Sequence, residues 1–194
     1  MESVSEKTIE KYRYINVEHH DWWDFEYEDF KQQMSEGGIS VDNIYFSGFW
    51  SQGDGACFEG YIEDTNVFLE KNFKPEQYPT IRMVTANGGR VRLSVRHSGH
   101  YYHENCTSFS MDVDMPSNVL PTPTDFHQQV VEQYDNTMER EIEDFEKESI
   151  EIFKNLMRGL YRQLESQYDH LTSDEAVTEA IIANDLNEPD EGDE

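Results

Sequence analysis

The chain has 194 residues, 36 % hydrophobic and 13 % aromatic, and its 41 acids against 15 bases leave a net charge of −26. That length suits one domain, or one domain with an appendage, and the aromatic side chains supply enough area for a core without disulfide or metal staples. A field this negative repels nucleic acid and anionic membranes and attracts basic protein surfaces; no apolar leader or membrane-length apolar run occurs in the sequence, so neither a signal peptide nor a membrane span is expected, and Cys57 and Cys106 are expected as reduced cytosolic thiols.

Residues 1–18 carry no clear pattern. From His19 to about Glu36 the residues Trp22, Trp23, Phe25 or Glu26, Phe30 and Met34 fall near a 3.6-residue period, predicting a helix that stops at Gly37-Gly38. A β-rich middle follows. Ile44–Trp50 and Ala56–Ile62 are candidate strands around the Ser-Gln-Gly-Asp-Gly turn. Val67–Phe73 suits a short helix. Ile81–Ala86 and Arg90–Arg96 flank Asn87-Gly88-Gly89, a strong hairpin signal, and Thr107–Met115 alternates as a fifth strand. After Pro116–Pro123, Phe126, Val130, Tyr134, Met138, Ile142, Phe145, Ile152, Leu156, Leu160, Leu164 and Tyr168 fall on one apolar stripe at spacings mostly of three and four. Whether 125–170 forms one helix or a hairpin is open at this level. Thr172-Ser-Asp-Glu175 reads as a capping box before a last short helix.

The expected fold is α+β: a small antiparallel sheet of about five strands covered by helices, with a long acidic C-terminal helical segment. Its parts are a sheet domain with the N-terminal helix (1–115), a linker (116–124), helices packing on the sheet (125–184) and a disordered acidic tail (185–194).

Four features bear on function. His97, His100, His103 and Cys106 recur at a spacing of three, and such residues ligate zinc or iron. In an extended segment that spacing points alternate members to opposite faces, so the preferred reading is structural histidines with no metal, Cys57 being the candidate to complete a set if a turn brings some of them together. Ser51 or Cys57 beside the glycine-rich turn suggests a nucleophile with a histidine base, but the strand–nucleophile–helix elbow is missing and turn chemistry suffices. Arg82, Arg90, Arg92 and Arg96 form a basic block, the last three on one strand face, expected to pair with surrounding acids although a small anion site is the alternative. Glu132, Asp135, Glu139, Glu143, Asp144, Glu146, Glu148 and Glu151 make an acidic helix face, a candidate partner-binding surface that a second acidic element would bring near the charge density of duplex DNA.

Three blocks, IYFSGFWSQGDGACFEG (44–60), SVRHSGHYYHENCT (94–107) and LYRQLESQYDHLTSDEAVTEAIIAND (160–185), resemble a family of small bacteriophage and prophage proteins sometimes labelled antitoxin-like. The resemblance implies a phage setting and the host cytoplasm, and it carries no residue roles. Together with the charge it leads to an interaction protein that inhibits a host nucleic-acid-handling or defence enzyme through a DNA-mimicking surface. The alternatives are an antitoxin-type protein that neutralises a basic partner, a metal- or thiol-dependent enzyme using the histidine–cysteine turn, and a virion component. The expected partner is a host protein with a basic surface. No cofactor, direct nucleic-acid contact or membrane is expected, and homodimerisation is left open.

Overall fold

Alternating apolar and polar residues along four segments build a single antiparallel sheet in the computed structural model of the chain, which describes residues 4–19, 21–116 and 128–186, with the side chains of 128–135 outside that description. In chain order the elements are α1 (Glu6–Lys11), α2 (Asp24–Glu36), β1 (Ile39–Phe46), β2 (Ala56–Ile62), α3 (Thr65–Asn72), α4 (Pro79–Ala86), β3 (Arg90–His97), β4 (Thr107–Asp114), α5 (Gln128–Leu171) and α6 (Asp174–Ala183). The sheet order is β1-β2-β3-β4, and all neighbours are antiparallel. Contacts group the chain into two units, residues 29–161 and residues 1–28 with 162–194.

In the larger unit, one face of the sheet forms the core. Phe58 and Ile62 of β2 and Val91, Leu93 and Val95 of β3 are buried, as are Phe68 and Leu69 of α3 and Ile81 and Val84 of α4. Phe145, Phe153, Met157 and Leu160 follow the three-and-four spacing of α5 and are fully buried. Aromatic rings knit these layers: Phe153 lies 5.6 Å from Phe58, 6.2 Å from Phe68 and 6.1 Å from Phe109. Phe30 of α2 adds a ring 5.6 Å from Phe58. The register places Asn43, Tyr45, Glu59, Tyr61, Arg92, Ser94, Arg96, Ser110 and Asp112 on the opposite, polar face.

In the smaller unit, Ser5 caps α1 and Ser173 caps α6 by accepting from Thr8 N and Ala176 N. Arg13 joins the two segments by donating to the Thr172 carbonyl at 3.1 Å and to the Asp174 and Glu10 carboxylates. Trp22 packs edge-on against Tyr168 at 5.8 Å.

Several expectations change. Ile81–Ala86 is helical, so the sheet has four strands rather than five. Pro79 suits the first helical position. Tyr78 offers no side-chain cap, and Glu141 of α5 supplies one, accepting from Thr80 N at 2.6 Å, Ile81 N at 3.3 Å and the Thr80 hydroxyl at 2.7 Å. Asn87-Gly88-Gly89 therefore ends a helix instead of turning a hairpin: Gly89 N donates to the Val84 carbonyl at 2.9 Å, with Gly88 at φ +81°. The first strand occupies Ile39–Phe46 and not 44–50, with a register shift between Val41 and Asn43 that breaks its alternation. Residues 128–171 form one helix, which decides a question the sequence left open, and Ser173, not Thr172, is the cap of α6. The two units do not divide at 116–124; apart from Pro116, Asp185 and Leu186, that linker and the acidic tail lie outside the described residues.

Candidate functional site

The antiparallel order brings the β1–β2 loop (47–55) and the β3–β4 loop (98–106) to the same end of the sheet. They are closely fitted. A Cβ on Gly53 would strike the Tyr101 ring, and one on Gly55 would meet His103. Within the first loop Asp54 accepts from Ser51 N at 2.7 Å, and Gly55 N donates to the Ser47 hydroxyl at 3.2 Å. The second loop is tied to α5 by Arg158, which donates to Glu104 at 3.0 Å.

This rim presents aromatic side chains to water. Trp50 is 73 % exposed and Tyr101 45 % exposed. Trp50 also sits at φ +69°, in the left-handed region that a bulky L-residue rarely occupies. Phe49 beneath it is buried, with its ring 5.4 Å from Trp50 and 5.5 Å from Tyr161 of α5. A large apolar ring is thus held outward on a buried footing, in a backbone conformation that costs energy.

The histidines do not converge. His97 Nε2 lies 3.2 Å from the Tyr101 carbonyl, which can only accept, so Nε2 carries a proton. Its ring packs against both Tyr45 and Tyr102, each 5.1 Å away, which stack on each other at 5.4 Å. His100 is exposed and packs edge-on to Tyr101 at 5.1 Å. Only His103 and Cys106 meet, with Sγ 3.6 Å from Nε2. Asn105 N donates to His103 Nδ1 at 3.1 Å, so in the neutral ring the proton is on Nε2, facing the sulfur. That ring donates to Cys106 and cannot accept its proton as a base. Among the described residues no three His, Cys, Asp or Glu side chains are placed to hold a metal ion. Cys57 lies inside β2, fully buried, with its thiol pushed up to about 12 by burial and then by Cys106 and Glu59, so it is a protonated core residue and not a nucleophile. Ser51 N serves the Asp54 turn described above.

The predicted acidic face is spread widely. Glu139, Glu143, Asp144, Glu148 and Glu151 are exposed and Glu146 half-buried, while the side chains of Glu132 and Asp135 lie outside the described residues. At about 100° per residue, the exposed acids occupy roughly half the circumference of α5. Arg140, Lys147 and Lys154 fall among them, and Lys154 pairs with Glu151 at 3.6 Å. Glu148 also bonds Tyr78, whose hydroxyl is raised by burial first and by that carboxylate second.

Of the basic block, Arg82 belongs to α4 and staples the preceding loop, donating to the Gln77 and Lys74 carbonyls at 3.0 and 3.1 Å. Arg90, Arg92 and Arg96 share the polar sheet face as expected, yet among the described residues none makes the expected ion pair.

One family model, a domain of unknown function (DUF8835), matches residues 22–174. The chain belongs to that family. The DUF8835 span takes in the whole sheet, both rim loops and all of α5. No curated protein and no solved structure matches the chain. Sequence reasoning passed over Trp50 and Tyr101 because their exposure depends on how the two loops fit. The signal present was an aromatic pair, Phe49-Trp50, set between glycines.

Proposed function

We propose that this chain is an acidic interaction protein that docks on a basic protein surface, with Trp50 and Tyr101 as anchors at the rim and α5 steering the encounter. The observation that carries the reading is Trp50, 73 % exposed at φ +69° on a buried Phe49 footing. Backbone strain of this kind persists where the surroundings enforce it, and exposed tryptophan and tyrosine are the side chains that most often dominate binding energy once desolvated.

The charge of α5 sets the manner of attraction. Over the predicted face, residues 132–151, there are nine carboxylates and two cations, a net of seven negative charges over 20 residues. At 1.5 Å per residue that is about one net charge per 4 Å, against one per ~1.7 Å in duplex DNA. This helix attracts a basic partner without reproducing a duplex, so the proposed site moves from the helix face alone to the rim that it accompanies. The phage-like blocks make a nucleic-acid-handling or defence enzyme of the host cytoplasm the target class to test first, because such enzymes carry basic surfaces. No helix among the described residues is long and apolar enough to cross a membrane.

The test is capture from a bacterial host lysate by tagged wild-type protein and by Trp50→Gly, at low and high salt. Retention of a stoichiometric partner by the wild type alone, weakened by salt, supports the reading. Equal retention by both proteins removes the rim from it.

A further inference from the structure

The polar face of the sheet carries a row of guanidinium groups that make no hydrogen bond or ion pair among the described residues, Arg92 lying on the Tyr61 ring and Arg96 acting on Glu59 only through its charge. Arg90, Arg92 and Arg96 project from alternate positions of β3, so neighbours in the row are spaced at about 7 Å or twice that. Arg13, Arg82 and Arg158 each donate to carboxylates or carbonyls. Among the described residues the side chains of Arg90, Arg92 and Arg96 make no hydrogen bond and no ion pair, in a chain with 41 acids.

Arg92 shows that this is more than surface disorder of long side chains. Asp112 stands directly opposite it in the β3–β4 register, where side chains are within easy reach. The guanidinium turns the other way and lies 3.6 Å from the centre of the Tyr61 ring. Its Nε is buried without a hydrogen-bond partner. Of the other carboxylates around the row, Glu59 already accepts from Asn43 at 3.0 Å, Tyr45 at 3.0 Å and His97 N at 3.1 Å, Asp64 caps α3 by accepting from Asn66 N and Val67 N, and Asp42, Glu63 and Asp114, which stands opposite Arg90, form no ion pair with the row. Two cavities of about 480 and 420 Å³ flank this stack, both lined by Tyr61 and Arg92, the first reaching Arg90 and the second Arg96, Ser94 and Ser110. Volumes of this size suit a small ligand.

We propose that this face binds a small phosphomonoester, its phosphate held by Arg92 with Arg90 or Arg96 and its polar remainder against Ser94 and Ser110. Two guanidinium forks match the oxygens of a phosphate dianion better than those of a carboxylate, and the flat Arg92–Tyr61 stack gives a planar ligand a surface. The net charge of −26 selects a small dianion over a polyanion, since each further phosphate is repelled by the chain as a whole.

The test is titration of the intact protein, followed by amide resonance shifts, with inorganic phosphate, adenosine monophosphate and a short single-stranded DNA. The expected result is saturable shifts on β3 and at Tyr61 with adenosine monophosphate, weaker ones with phosphate and the weakest with DNA. Arg92→Gln should reduce affinity at least tenfold and the exposed Arg96→Gln severalfold, whereas Asp112→Asn should tighten binding by removing a competing charge. Unchanged resonances elsewhere show that each variant is folded. Absence of binding at millimolar ligand, affinity indifferent to both arginine variants, or DNA binding more tightly than the mononucleotide would overturn the proposal. Inorganic phosphate binding as tightly as adenosine monophosphate would refute the role of the stack.

Discussion

Replacing Trp50 by glycine should leave the protein about as stable as before, and the structure says why. A tryptophan side chain offers up to about 250 Å². With 73 % of it exposed, only about 65 Å² is removed from water, worth roughly 1.6 kcal/mol at ~25 cal/mol per Å². Against that loss, glycine relieves the left-handed backbone at φ +69°, which costs an L-residue about 1–2 kcal/mol. The two nearly cancel, leaving a net change within about 1 kcal/mol, or no more than about 4 °C in Tm for a chain of this size. Trp50→Ala loses the same contact but keeps the strain, so it should be about 1 kcal/mol less stable than Trp50→Gly, the reverse of the usual order of alanine and glycine. Urea melts of the three proteins measure both differences. A loss above about 3 kcal/mol in Trp50→Gly, or alanine more stable than glycine, would refute the reasoning and make Trp50 a structural anchor.

Other consequences are equally direct. Glu141→Ala removes the only side-chain cap of α4 found among the described residues and should cost about 2 kcal/mol in thermal or urea melts, with Glu141→Gln intermediate. Gly60→Ala would drive a Cβ into the Ser40 carbonyl beside the β1 register shift, and a loss of 2 kcal/mol or more is expected. The Glu59 carboxyl is held below its ordinary value of 4.5, chiefly by the Asn43 amide, with His97 N, Tyr45 and Arg96 adding to it. Because its folded value is depressed, its stabilisation is present above pH 4.5 and is lost as pH falls below that, so Glu59→Gln should flatten the acid limb of a stability–pH curve. With Cys57 buried and its thiol near 12, a thiol reagent should label one cysteine, Cys106, in the native protein and both in denaturant; two native labels would contradict the packing of β2.

What could be read from the sequence was set by how local each signal is. The stop of α2 at Gly37-Gly38 and the alternation of β2, β3 and β4 depend on near neighbours and appear in the fold, while the α5 stripe is right at Phe145, Leu160 and Leu164 and one residue off between them, where Phe153 and Met157 are buried in place of the half-buried Ile152 and Leu156. Ile81–Ala86 was misread because its β-branched residues and the following Asn-Gly-Gly imitate a hairpin. The cap that makes it a helix comes from Glu141, some 60 residues away. The short helix α1 rests on one turn and the Ser5 cap, too little for a periodic pattern to show. At the candidate site, the histidine spacing was visible but the proton positions were not, since they follow from the Tyr101 carbonyl and Asn105 N. The basic row was legible as one face of a strand. That it stays unpaired was not, because Arg92 prefers the Tyr61 ring to the acid opposite.

The most direct test of the central claim is quantitative affinity capture from host lysate with wild type, Trp50→Gly and Tyr101→Ala, after melts have shown the variants folded. The account predicts one stoichiometric partner with a basic surface, retained by the wild type at low salt, released as salt rises and lost from both variants. A partner held equally by all three proteins, or none held by the wild type, would contradict it.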